Sequence, residues 1–171
     1  MTDTDRTFTW REKNKVFYTH VISDGTTGFE WAEQYKERDG EHALSVLRNL
    51  EFKPTSGILT PIAILPGHLF EDDSRIIEQI LVEARCRGLT MLNAEATCLI
   101  QRNFSNKDVS SMGLEWIVAM HTPINDFCDN PCLLGAYWCA DTKGLGACFA
   151  GDERKFSRCF GFAFDATQVQ A

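Results

Sequence analysis

Eight side chains of the kinds used in binding and proton transfer fall on segments that read as strands: Tyr18, His20, Asn93, Glu95, Thr97, Glu115, His121 and Tyr137. A carboxylate beside a histidine shifts the pKa of both, and such pairs do general acid/base work. Alternation along a strand sends every second side chain to the same face. Residues 90–103 read as a long strand. Leu92, Ala94, Ala96, Cys98 and Ile100 form a wholly apolar set, and Asn93, Glu95 and Thr97 lie opposite. Residues 113–121 alternate in the same way, with Glu115 and His121 opposite Trp116, Val118 and Met120. In the first strand His20 and Tyr18 oppose Phe17, Thr19 and Val21. Tyr137 shares a hairpin face with Cys139 and Asp141. If all the polar-bearing faces lie on one side of a twisted sheet, the eight side chains converge on one concave surface.

Other segments hold chemistry of less specific kinds. Cys128 and Cys132 are four apart around Asp-Asn-Pro and, with His121, Cys139 or Cys148, supply the donor types of a zinc site. The second close pair of such sites is missing, so the reading is free thiols and no metal. Cys139 and Cys148 match no cysteine-nucleophile context, and strand burial raises a thiol pKa. His20 and His121 both end strands, but Ile22 and Pro123 stand where two-histidine phosphodiesterases need a hydroxyl residue. DGTTG at 24–28 joins a strand to a helix, yet it is neither a P-loop nor GxGxxG and reads as a turn with Thr26 or Thr27 as N-cap. The run RCFGFAF, 158–164, partly resembles the base-stacking strand of an RNA-recognition motif. Cysteine replaces the expected glycine, too little chain follows, and the charge is wrong. Phe160, Phe162 and Phe164 read as core or cavity lining. No motif calls for a cofactor.

The elements that must position these groups follow from periodicity. Residues 15–23, 58–65, 113–121, 133–141, 145–150 and 157–165 read as further strands, rich in β-branched and aromatic residues. Pro61 lacks a ladder donor and favours an edge or a bulge. Residues 29–38 and 41–50 read as helices, and 105–111 as a polar loop. The clearest helix spans 72–88: Ile76, Ile77, Ile80, Leu81 and Ala84 share a face, Asp72, Asp73 and Ser74 stand at its start, and Gly88 is placed for a left-handed C-cap with Leu89 closing back. Helices and strands are segregated, which implies an α+β fold. The expectation is a mostly antiparallel or mixed sheet of about six or seven strands with two or three helices on one face. The 72–88 helix would then cover the apolar set of residues 92–100 and leave the other sheet face for function.

Bulk properties bound the rest. The 171 residues suit one domain, 1–171, with 1–6 and 166–171 as loose termini. The chain is 44% hydrophobic with only 5 prolines, so it is neither disordered nor fibrous. Its net charge of −7, from 24 acids and 17 bases, argues against nucleic acid as a partner. It has no apolar run of membrane length and no basic, apolar start, so a cytoplasmic protein off the membrane is expected. Partners are then a small molecule, a partner protein, or a second copy paired through an edge near Pro61. The functional expectation is a small soluble ligand-binding domain with a partly apolar, aromatic-lined site on the helix-free sheet face. Two alternatives stand beside it: a small enzyme using His20 or His121 with Glu95 or Glu115, and an interaction or inhibitor module without a catalytic site.

Overall fold

The computed structural model describes residues 9–37, 39–140 and 142–169. Elements run in the order β1 (Arg11–Lys13), β2 (Val16–Asp24), α1 (Gly28–Tyr35), α2 (Glu41–Arg48), β3 (Ser56–Pro66), α3 (Ile77–Cys86), α4 (Glu95–Asn103), α5 (Asn106–Ser111), β4 (Trp116–Ala119), β5 (Ile124–Asn125), β6 (Pro131–Cys139), β7 (Thr142–Phe149) and β8 (Phe160–Asp165). The class is α+β, with a mixed sheet of eight strands and five helices among the described residues. Neighbours pair antiparallel except β4 and β8, which are parallel. Cys132 of β6 pairs Ile124 on one side and Phe149 on the other, so β5 continues the β4 side and β7 forms an edge.

Strand alternation builds two cores, one on each face. Phe17, Val21, Ile62, Ile64, Ile117, Ala119, Leu134 and Ala136 point to the face packed by α1, α2, α4 and α5. Val16, Ala63, Leu65, Val118, Met120, Phe162 and Phe164 point to the face where α3 lays Ile80 and Ala84. The alternation read for β2 and β4 is therefore observed, and its two sides are separate cores. Phe162 and Phe164 are buried side chains under α3, while Phe160 is half-buried against Trp116, with ring centroids 5.3 Å apart.

The largest departure from the sequence reading is at 90–103. Only Thr90 makes a strand bridge, to Asp165, and residues 95–103 are α4. Every residue from Ala94 to Gln101 is buried. Ala96, Leu99 and Ile100 fall at helical spacing, but the same stretch also alternates from Leu92 to Ile100, and the two periods compete over so short a segment. Two of the polar side chains of α4 find partners inside: Thr97 Oγ1 donates to Leu134 O at 3.1 Å, and Tyr35 OH donates to Gln101 Oε1 at 2.5 Å, while Gln101 Nε2 is buried without a partner.

The 72–88 segment divides. Asp72–Ser74 forms a single 3₁₀ turn, and α3 begins at Ile77 with no side-chain cap. Arg75 causes the break. Its backbone leaves helical values (φ −83°, ψ 57°) while its buried guanidinium reaches Phe156 O at 2.9 Å, Phe70 O at 3.1 Å and the Asp72 carboxylate. The C-terminal reading is observed: Gly88 has φ +74°, and Leu89 N–H donates back to Ala84 O at 2.9 Å. The segment after Asn103, read as a loop, holds α5, started by a capping box of Ser105 and Asp108.

Thr27 caps α1 in a second capping box with Glu30. Gly28 is required there, because a Cβ would lie 1.9 Å from Leu47 O of α2. Leu50, the last residue of the helix expected over 41–50, is 84% exposed beyond the observed helix end. Cys139 pairs Thr142, so β7 starts three residues before the expected 145; Asp141 lies outside the described residues, as do 1–8. Pro61 lies where β3, paired with β2 at His20, passes the end of β8, so the sheet has a local edge at this position. The proline carbonyl accepts from Ala166 N–H at 2.9 Å on the side where β8 has just ended, so its missing donor deprives no strand. Among the described residues no helix is long and apolar enough to cross a membrane.

Candidate functional site

The ribbon formed by the end of β2 and the start of β3 outreaches the helices that cover it. Where α4 begins, this leaves a cavity of about 110 Å³ between the ribbon and residues 91–99. Val21, Ile58 and Thr60 come from the sheet, Thr55 from the approach to β3, and Met91, Leu92, Asn93 and Glu95 from the entry to α4. Glu95 is only 4% exposed. Its carboxylate accepts from Thr55 N–H at 2.9 Å, from the Thr55 hydroxyl, and from Asn93 Nδ2 at 3.2 Å. It is the first residue of α4, where the helix dipole favours a negative charge. Asp165 completes the wall, one of its oxygens accepting from Thr167 N–H at 2.8 Å.

A second cleft, of about 300 Å³, opens on the other side of Leu92 and Asn93, which line both. Its walls are Glu51 and Lys53 after α2, and His121, Thr122, Pro123 and Ile124 after β4. His121 is 2% exposed. Its Nδ1 lies 2.7 Å from Thr122 O and its Nε2 3.0 Å from Leu134 N. A carbonyl only accepts and an amide N–H only donates, so Nδ1 carries the proton and Nε2 the lone pair. Burial pushes the imidazole below its ordinary value of 6.5, outweighing the opposing bond to Thr122. The ring is a neutral strut with both nitrogens engaged.

No protein-family model, curated protein or solved structure matches the chain. The site rests on this geometry alone.

Asn93, Glu95 and His121 are thus brought to two adjoining clefts on the α4 side of the sheet. The other five side chains are elsewhere. His20 is exposed on β2, beside Val21, and so points to the opposite sheet face from the Glu95 cleft. Tyr18 is on that face too, half-buried, with the Arg11 guanidinium 5.8 Å from its ring centre. Tyr137 packs on Trp116 at 5.2 Å, and its hydroxyl donates to Asp39. Thr97 is fully enclosed in α4, and Glu115 is exposed before β4. The convergence of eight side chains on one surface does not occur. It required residues 93–97 to be strand, and helix formation there moves Asn93 and Glu95 to the helix entry and Thr97 into the core.

The structure builds one histidine–carboxylate pair that the sequence reading missed. His42 Nδ1 of α2 lies 2.7 Å from Asp126 Oδ2. The Asp126 side chain is 2% exposed while that of His42 is 56% exposed. Burial alone would raise the Asp126 carboxyl, but the Asn130 amide, His42 and the Cys128 amide hold it at about 2. Phe127 N–H donates to Ser45 Oγ at 3.0 Å, and Asn49 Nδ2 to Asn125 O at 3.0 Å. His42 and Ser45 share one face of α2 and Asn49 caps its C-terminus, so the pair is one of three pins fastening residues 125–127 to that helix and its end. The available signal was Asp126 opening the Asp-Phe-Cys-Asp-Asn-Pro stretch, where an aspartate organises the following amides. Its histidine partner is 84 residues away in sequence.

The same carboxylate explains Cys132, whose thiol is raised to about 11 by burial and by Asp126. Cys148 is raised to about 11 by burial. These are packing thiols in β6 and β7 and not activated nucleophiles. Among the described residues no group of three or more His, Cys, Asp or Glu gathers to hold a metal.

Proposed function

We propose that this chain is a small-molecule-binding domain whose ligand lies across the Leu92–Asn93 saddle, reaching into one or both of the adjoining clefts. The observation that carries this is the placement of Asn93: an exposed amide lining both cavities, between the buried Glu95 carboxylate and the His121–Ile124 wall. The larger cavity reaches the lower end of the range for small-molecule sites, roughly 300 Å³, and mixes apolar walls with a few fixed polar groups. The site lies at the α4 entry, and no Phe, Tyr or Trp lines its walls. Binding is favoured over acid/base catalysis because the histidine in these walls has no nitrogen free, and His20 faces away from Glu95.

A fragment screen read by amide chemical shifts tests the proposal. Hits are expected to share shifts at Leu92, Asn93, Ala96 and Thr122. Asn93→Trp, which fills the saddle at an exposed position, is expected to abolish them while leaving the rest of the spectrum in place. Hits that cluster elsewhere, or that survive Asn93→Trp, would sink it.

A further inference from the structure

We infer that the cleft at the start of α4 takes a small organic cation, a primary ammonium on a short alkyl body. This rests on the binding role proposed above and names the ligand chemistry. Two independent observations lead there. The first is the wall composition. Glu95 and Asp165 are its two charged residues, both acidic, with no Lys, Arg or His among the lining residues. The hydroxyls of Ser23, Thr55 and Thr60 add acceptor oxygens, and Val21, Ile58 and Leu92 supply apolar contact.

The second is the state of Glu95 itself. A buried charge is ordinarily paired with an opposite one, since its desolvation is otherwise uncompensated. Glu95 is 4% exposed, and among the described residues it forms no ion pair. Its donors are an amide N–H, a hydroxyl and a carboxamide, all neutral. These hold the carboxylate in place without cancelling its charge. The guanidinium of Arg102, the penultimate residue of α4, is committed to Asp24 at 2.7 Å. The negative potential of Glu95 is felt in the interior, where it helps raise the Cys98 thiol well above its usual value, after burial itself. The countercharge is therefore left to come from the ligand. A volume of about 110 Å³ accepts an ammonium and a few methylenes, and the neighbouring cleft leaves room for a longer tail.

The test titrates the whole chain with n-butylammonium, n-butanol and butyrate at equal ionic strength, followed by amide shifts. Butylammonium is expected to give saturable shifts at Thr55, Asn93 and Ala96, butanol to bind at least about tenfold more weakly, and butyrate to leave these amides unmoved. Glu95→Gln keeps the shape and removes the charge, and it should bring butylammonium down to the level of butanol. Because Gln cannot satisfy all three Glu95 donors, Asp165→Asn serves as a second variant, expected to weaken butylammonium and not butanol. Equal binding of butanol and butylammonium, unchanged by either variant, would overturn the cation while leaving the binding site intact. Silence from all three probes at these amides also overturns it; the fragment screen then decides separately whether the saddle binds anything.

Discussion

At the scale of single residues, His121 illustrates how a candidate base becomes a structural part. Its two nitrogens close a bridge between Thr122 O and Leu134 N–H, and its neutral form is the folded form. Its pKa is depressed below 6.5 on folding, so in the interval between the two values the unfolded chain binds more protons than the native one. The stability it confers is complete above about pH 6.5 and declines as the pH falls through that interval. His121→Gln is expected to flatten the pH dependence of the urea midpoint between about 7.5 and 5. An unchanged slope would refute the assignment. Truncation is more costly: His121→Ala leaves a buried N–H and a buried C=O unpaired and opens a void, for a loss of about 2–4 kcal/mol in urea unfolding.

Elements are positioned by a few buried polar groups as much as by apolar stripes. Arg75 is the clearest. With a side chain 8% exposed, it donates to Phe156 O, Phe70 O and the Asp72 carboxylate, while Phe156 N–H donates to Arg75 O at 2.8 Å. It ties the start of α3 to the segment leading into β8. A lysine cannot reproduce a planar fork that meets three acceptors from one position. Arg75→Lys is expected to lose about 2–3 kcal/mol of stability by denaturant unfolding. A loss below about 0.5 kcal/mol would show that the fork contributes little. His42 and Ser45 of α2, with Asn49 at its C-cap, work in the same manner on residues 125–127, which continue from one wall of the larger cleft.

At the scale of the whole molecule, the sheet ends in β7, an edge strand eight residues long without proline. An open edge offers donors and acceptors to another chain. Here Asp39, from the α1–α2 connection, accepts Leu145 N–H with both carboxylate oxygens at 3.0 Å. That bond sits on the outer side of β7 and blunts the edge with a negative charge. Asp39→Ala is expected to raise the apparent mass in light scattering on concentration, through pairing along β7, while Asp39→Asn restores part of the protection. A strictly monomer-like profile for Asp39→Ala would remove Asp39 from this role.

The sequence by itself determined what is local. The β2 alternation, the Thr27 cap, the Gly88 termination and the segregated order of elements need only neighbours along the chain, and each is present in the structure. From these the α+β class follows. Tertiary structure decided what depends on enclosure. At 95–103 the sequence carries both an alternation and a helical spacing, and the tertiary packing that buries 94–101 decides for the helix, with Leu134 O and Tyr35 as internal partners for Thr97 and Gln101. That one change took Asn93 and Glu95 off the sheet and set them at a helix entry beside two clefts. The partnership of His42 with Asp126, and of Glu95 with Thr55, spans 84 and 40 residues, a distance over which no spacing rule operates. Three of the eight candidate side chains meet because the chain folds α4 against the β2–β3 ribbon, and the charge left uncancelled there is visible only once its surroundings are in place.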